Sequence, residues 1–90
     1  MNATITLSIK MFGAFRKYHP GTMDIAVPAG SSVQAVKSAI AVALRLANPA
    51  FLDDELITKS ALANHQRVFT EDDQIAESSS LAILPPVCGG

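Results

Sequence analysis

The residues best placed to do chemistry stand together at Pro85-Pro86-Val87-Cys88-Gly89-Gly90, directly behind an apolar run. Glycine lacks a Cβ, so it allows close backbone approach and dihedrals closed to other residues. Paired at the end of the chain, Gly89 and Gly90 suggest a terminal carboxylate that must enter a narrow site on another protein. The α-carboxyl of Gly90 is then the candidate reacting group. A carboxylate is a poor electrophile at neutral pH, because its charge repels nucleophiles and oxide is a poor leaving group. Reaction there needs an oxygen replaced by a better leaving group, and adenylation by ATP is the route that fits. The sequence carries no phosphate-binding loop and no dinucleotide fingerprint, so a partner would supply the nucleotide site.

The tail is built for that use. Pro85 and Pro86 fix φ and favour an extended polyproline conformation, which projects the terminus away from the domain. At about 3.1–3.3 Å per residue, positions 85–90 reach roughly 19 Å, deep enough to thread a partner's channel. Ordering such an arm costs about 1–2 kcal/mol per residue. The prolines lower part of that cost, and surface contacts near the root of the tail must offset the rest. Other chemistry is thin. Zinc sites need closely spaced ligands, whereas His19, His65 and Cys88 are isolated in sequence, and each histidine reads as an ordinary loop residue. The single cysteine cannot form an intramolecular disulfide, so the fold must stand on packing.

Ninety residues with 49% hydrophobic and 17% charged content describe one small globular domain. A net charge of −1, with no basic stripe, argues against a nucleic-acid partner. The acidic bias at Glu71-Asp72-Asp73 and Glu77 reads as a solvated loop. Met1-Asn2-Ala3-Thr4 offers neither the basic nor the apolar region of a secretory signal. The longest apolar stretch, Ala39 to Ala47, contains Arg45 and is too short to span a bilayer. A soluble cytoplasmic protein with no membrane association is the expectation.

Several elements must position the tail. Ile5, Leu7, Ile9 and Met11 alternate with Thr4, Thr6, Ser8 and Lys10, the period of a half-buried strand. Phe12 breaks the parity: its ring falls on the polar face, marking either the strand's end or a partner-binding surface. Residues 13–21 form a loop punctuated by Pro20-Gly21. Met23, Ile25 and Val27 define a second strand, antiparallel to the first. Ser31 or Ser32 caps a helix whose buried stripe is Val33, Val36, Ile40, Leu44 and Ala47. Asn48-Pro49 ends it. Residues 53–59 form a short helical turn or an irregular connector. Ala61-Leu62-Ala63 and Val68-Phe69 read as short strands around a turn at Asn64-His65-Gln66. Ile75 anchors the polar stretch 71–80. Leu81 to Leu84 is a continuous apolar run, as expected of a central strand covered on both faces. This order predicts an α+β chain, a β-grasp with a four- or five-stranded mixed sheet and one main helix. The first and last strands lie parallel at its centre, and the tail leaves as a free arm. Residues 1–84 form the domain and 85–90 the reactive tail.

The ending Leu84-Pro85-Pro86-Val87-Cys88-Gly89-Gly90 closely resembles the C-terminus of the molybdopterin synthase small subunit, from the sulfur-carrier branch of the ubiquitin-like β-grasp proteins. The likeness covers the length and element order of the whole chain. Phe12-Gly13-Ala14-Phe15-Arg16 is similar to the family's phenylalanine-to-arginine segment after the first strand. Asn64 is similar to the asparagine that commonly ends a middle strand. Two differences stand out: Ser78-Ser79-Ser80 replaces a turn that often contains glycine, and Arg67 stands where the family often has an apolar docking residue.

The resemblance implies a cycle in which this chain binds no cofactor itself. An E1-like adenylyltransferase uses ATP and magnesium to adenylate Gly90. A persulfide donor then supplies sulfur, leaving a C-terminal thiocarboxylate. The loaded tail inserts into the large subunit of molybdopterin synthase, within a heterotetramer, and donates sulfur for the dithiolene of molybdopterin. On this view the chain is non-catalytic alone, Pro85 to Gly89 form the inserted tail, and Phe12, Arg16 and Leu84 dock the partner. Cys88 takes a position usually small or hydroxylated and reads as a neutral substitution. The alternative, thiolate attack on the activated carbonyl or the persulfide, needs a lowered pKa. Competing destinations are thiamin, cysteine or tRNA thiolation, ubiquitin-like conjugation to lysine, and a plain β-grasp interaction module.

Overall fold

The computed structural model describes residues 3–51, 54–70 and 72–86. β1 (Thr4–Met11) follows its sequence period, with Ile5, Leu7, Ile9 and Met11 buried and Thr4, Thr6 and Lys10 exposed. β2 (Thr22–Pro28) pairs with it antiparallel, from Thr4↔Pro28 to Lys10↔Thr22, and buries Met23, Ile25 and Val27. The segment between them is more ordered than a plain loop. Gly13–Lys17 forms a 3-10 helix, because Phe15 has a core to enter and is fully buried there. The turn after it is fastened to the far end of the main helix: Tyr18 packs edge-on against Phe51 with ring centroids 4.9 Å apart. The Asn48 side-chain amide donates to the Tyr18 carbonyl at 3.3 Å.

Ser31–Ser32 forms the short strand β3, which pairs antiparallel with β5 (Gln74–Ile75). That small second sheet brings Ile75 into the core. Ser32 then caps α1 (Val33–Ala47), its hydroxyl accepting the Ala35 N–H at 3.1 Å. Val33, Val36, Ile40 and Leu44 are buried as their spacing predicts. Ala47 is a correction to that stripe, because it is exposed. Phe51, whose N–H donates to the Asn48 carbonyl in the turn after the helix, is fully buried in its stead. α2 (Asp54–Lys59) resolves the connector as a short helix, with Ile57 buried.

β4 (Ala61–Ala63) and β6 (Ser79–Leu84) complete a four-stranded sheet in the order β2-β1-β6-β4. β6 runs parallel to β1 at the centre, from Leu7↔Ser79 to Met11↔Ile83, and antiparallel to β4. Val68-Phe69 makes less than a strand: a single bridge joins Val68 to Ala63, and the Phe69 N–H donates to the Leu62 carbonyl at 2.7 Å. β6 also departs from expectation, since it is not covered on both faces. Leu81 and Ile83 are buried, while Ala82 and Leu84 stay partly open. With one main helix packed on the sheet, only one face gains a lid, and the apolar run is divided between core and surface. No helix among the described residues is long and apolar enough to cross a membrane.

Candidate functional site

The uncovered face of the sheet has two halves, set by strand register. Residues directly opposite in a ladder share a face, and alternate residues along a strand return to it. Starting from Lys10↔Thr22 and Lys10↔Ala82, and continuing through Ala82↔Ala63, the open face collects Lys10, Thr22, Ala82 and Ala63. Two residues further along each strand come Phe12 and Leu84. Phe12 keeps an extended backbone, φ −126° and ψ 156°, so the parity of β1 carries through it. Its ring therefore lies on the open face, beside the last residue of β6.

At this end the face is apolar, with Phe12, Ala61, Ala82 and Leu84 half-buried and Val68 55% exposed. Ala63, bridged to Val68, forms its floor. The Lys10 ammonium sits 5.3 Å from the centre of the Phe12 ring, within the range of a cation–π contact. A groove of about 360 Å³ runs from Phe12 and Lys10 to Asn64 and His65 across Ala63 and Ala82, and reaches Ser8, Thr22 and Ser80 of the polar half. The opposite half of the face carries hydroxyls and Asp24, whose carboxylate accepts the Ser8 hydroxyl at 2.7 Å. The apolar half is the one nearest the root of the tail.

One edge of the groove is a built turn. The Asn64 side-chain oxygen accepts the N–H groups of Gln66 and Arg67 at 2.8 and 2.9 Å, and its own N–H donates to the Arg67 carbonyl. Asparagine suits this turn because its short side chain replaces backbone acceptors. Arg67 turns toward the loop, pairing with Asp73 at 2.9 Å and lying 5.1 Å from the Phe69 ring centre. The Asp73 carboxylate accepts the Thr70 N–H at 2.7 Å. That bond first, and the Arg67 guanidinium second, hold its pKa below the ordinary aspartate value.

Several expected site residues are brought together and others are not. Phe12 and Leu84 share the open face where β6 ends. Pro85 is half-buried there, against Gly13, and Pro86 is exposed. Val87, Cys88, Gly89 and Gly90 lie outside the described residues. Arg16 is exposed on the 3-10 helix, away from the groove lining. Val68 was missed from sequence. It gives the face the apolar side chain that Arg67 does not, and its one-residue offset from Arg67 was the available signal. Ala61 and Ala82 were missed as partly open surface because they read only as strand formers.

A central parallel pair of strands, hairpin partner, crossing helix and short outer strand define the class: this is a ubiquitin-like β-grasp. The fold is shared with SAMP1 from Haloferax volcanii at TM-score 0.67 and 24% identity, over 94% of this chain and 99% of that one. A Pyrococcus furiosus protein described as molybdopterin converting factor, subunit 1, matches at TM-score 0.64 and 17% identity, over 92% and 99%. The ubiquitin-like domain of PLXNC1 matches at 0.62 and 10%, over 93% and 100%. No protein-family model matches the chain, and no curated protein matches it in sequence.

Proposed function

We propose that this protein is a sulfur carrier that works through the carboxyl carbon of Gly90, in a form of the chain that ends there. The observation that carries the reading is the placement of the tail's root: Pro85 follows the central strand directly, at the apolar end of the uncovered face. A partner that buries Phe12, Val68 and Leu84 thereby receives residues 85–90 at a defined point. The β-grasp shared with a protein described as a molybdopterin converting factor subunit supports the same reading.

The chemistry runs in balanced steps. The Gly90 carboxylate attacks the α-phosphorus of ATP in an E1-like adenylyltransferase, with magnesium, and pyrophosphate leaves. The terminal sulfur of a persulfide donor attacks the acyl carbon, and AMP leaves. A second thiol cleaves the sulfur–sulfur bond, giving the thiocarboxylate and a disulfide. Its soft, polarisable sulfur is then the nucleophile delivered to the acceptor. We assign the acceptor site to the large subunit of molybdopterin synthase, in a heterotetramer, with molybdopterin as the product.

Intact mass spectrometry of protein purified from its own cells tests this. A fraction ending at Gly90 with one oxygen exchanged for sulfur is the expected result, together with a larger co-purifying subunit. A mature chain extending past Gly90, or ladders of lysine-linked conjugates with no sulfur-bearing form, would overturn it.

A further inference from the structure

Two segments meet where the tail leaves the sheet. β1 and β6 run parallel in register as far as Met11↔Ile83, so the residues after them continue side by side. Gly13 opens the 3-10 helix with φ +55°, in the left-handed region that strains residues with side chains. A Cβ placed there would lie 2.6 Å from Pro85 Cγ and 3.5 Å from Pro85 Cδ. Ordinary carbon–carbon contact is about 3.5–4.0 Å, so the proline ring fills the space a side chain would need. The other positive-φ glycines differ. Gly21 at +93° and Gly30 at +84° would meet nothing within 4 Å. They serve their turns alone, whereas Gly13 serves both its turn and the proline.

We infer that Gly13 is a positioning residue for the reactive tail: its missing side chain seats the Pro85 ring against the start of the 3-10 helix, and that seat sets the direction in which the tail departs. This rests on the sulfur-carrier reading above. The seat is rigid because Phe15, two residues on, is fully buried and pins the 3-10 helix to the core. The ring is informative because proline's φ is fixed, so holding the ring orients the peptide that follows. A tail aimed at its root gives up less orientational freedom when it enters a channel. The effect therefore falls on loading, while the docking side chains Phe12, Val68 and Leu84 remain in place.

The single cysteine, Cys88, lies in the tail and accepts a nitroxide label without any substitution. Paramagnetic broadening of backbone amides then maps where the tail points. In the unsubstituted protein the broadening should concentrate on one sector of the domain. Gly13→Ala should redistribute it, and so should Pro85→Ala, which removes the ring without altering the backbone at position 13. Gly21→Ala imposes comparable backbone strain where a Cβ would meet nothing within 4 Å, and should leave the pattern unchanged. In the protein's own cells, the sulfur-bearing fraction read by intact mass should fall about tenfold for Gly13→Ala and Pro85→Ala, and hold for Gly21→Ala. Should Gly13→Ala not fold, Pro85→Ala decides. An unchanged nitroxide pattern in the folded variants overturns the inference, as does a changed pattern with undiminished loading. Failure of the sulfur-carrier reading is separate, because it shows as no sulfur-bearing form in the unsubstituted protein.

Discussion

Phe12 and Phe15 are three residues apart, and the structure gives them different surroundings whose consequences a paired substitution separates. Phe15 is fully buried, so Phe15→Ala leaves a cavity in the core. Such truncations cost about 3–5 kcal/mol, against a total of roughly 5–13 kcal/mol for a domain of this length. With a urea slope of about 1.5 kcal/mol per molar, the unfolding midpoint should drop by about 2–3 M. Phe12 is half-buried on the uncovered face, and Phe12→Ala should cost under about 1 kcal/mol of stability. Its effect should appear in binding. A central aromatic anchor contributes on the order of 2 kcal/mol, so under the proposed function affinity for the large synthase subunit should weaken about thirtyfold. Urea unfolding followed by circular dichroism and titration calorimetry with the large subunit read the two quantities independently. The reasoning fails if Phe15→Ala lowers the midpoint by less than about 0.5 M, or if Phe12→Ala destabilises as much as Phe15→Ala. Unchanged affinity on removing the Phe12 ring would remove the docking role.

Two further outcomes follow from the loops around the core. Ser32→Ala removes the cap from α1 and should cost about 1 kcal/mol, a fall of roughly 4–8 °C in Tm by calorimetry; Ser31→Ala, whose hydroxyl donates to the Pro28 carbonyl instead, should leave the helix cap intact. Asp73 titrates below its ordinary value when folded, chiefly through the Thr70 N–H. The stability it contributes is therefore present above the unfolded aspartate pKa and is lost as pH falls through the lower, folded one. Hydrogen exchange at Thr70 should accelerate across that acid window relative to core amides, Asp73→Asn should abolish the dependence, and Arg67→Ala should reduce it only in part.

The regular elements were legible because they are long enough to show a period. β1, β2 and α1 each repeat their apolar residues often enough for the pattern to declare the buried face, and the Ser31-Ser32 pair announced the helix, with the structure choosing Ser32 as its cap. The β3–β5 pair was hidden, since two-residue strands have no period to read. Phe15 was hidden for a related reason: one apolar residue in a single 3-10 turn is indistinguishable in sequence from a loop phenylalanine. Ala47 misled because periodicity reports the angle around a helix and not where along it burial stops. At the candidate site, the parity break at Phe12 located the open face correctly. Val68 could not be assigned beside it without the bridge to Ala63, and the fit of Gly13 to Pro85 depends on a register between segments some seventy positions apart.

The parallel pairing of β1 with β6 also bears on how the protein is made. Until residue 84 has been synthesised, the first strand has its hairpin partner but no neighbour on the other side. A truncated product therefore lacks the centre of its sheet and never brings Phe12 and Leu84 together. Recognition that needs both residues would therefore reject any product that stops before position 84, without a separate checkpoint.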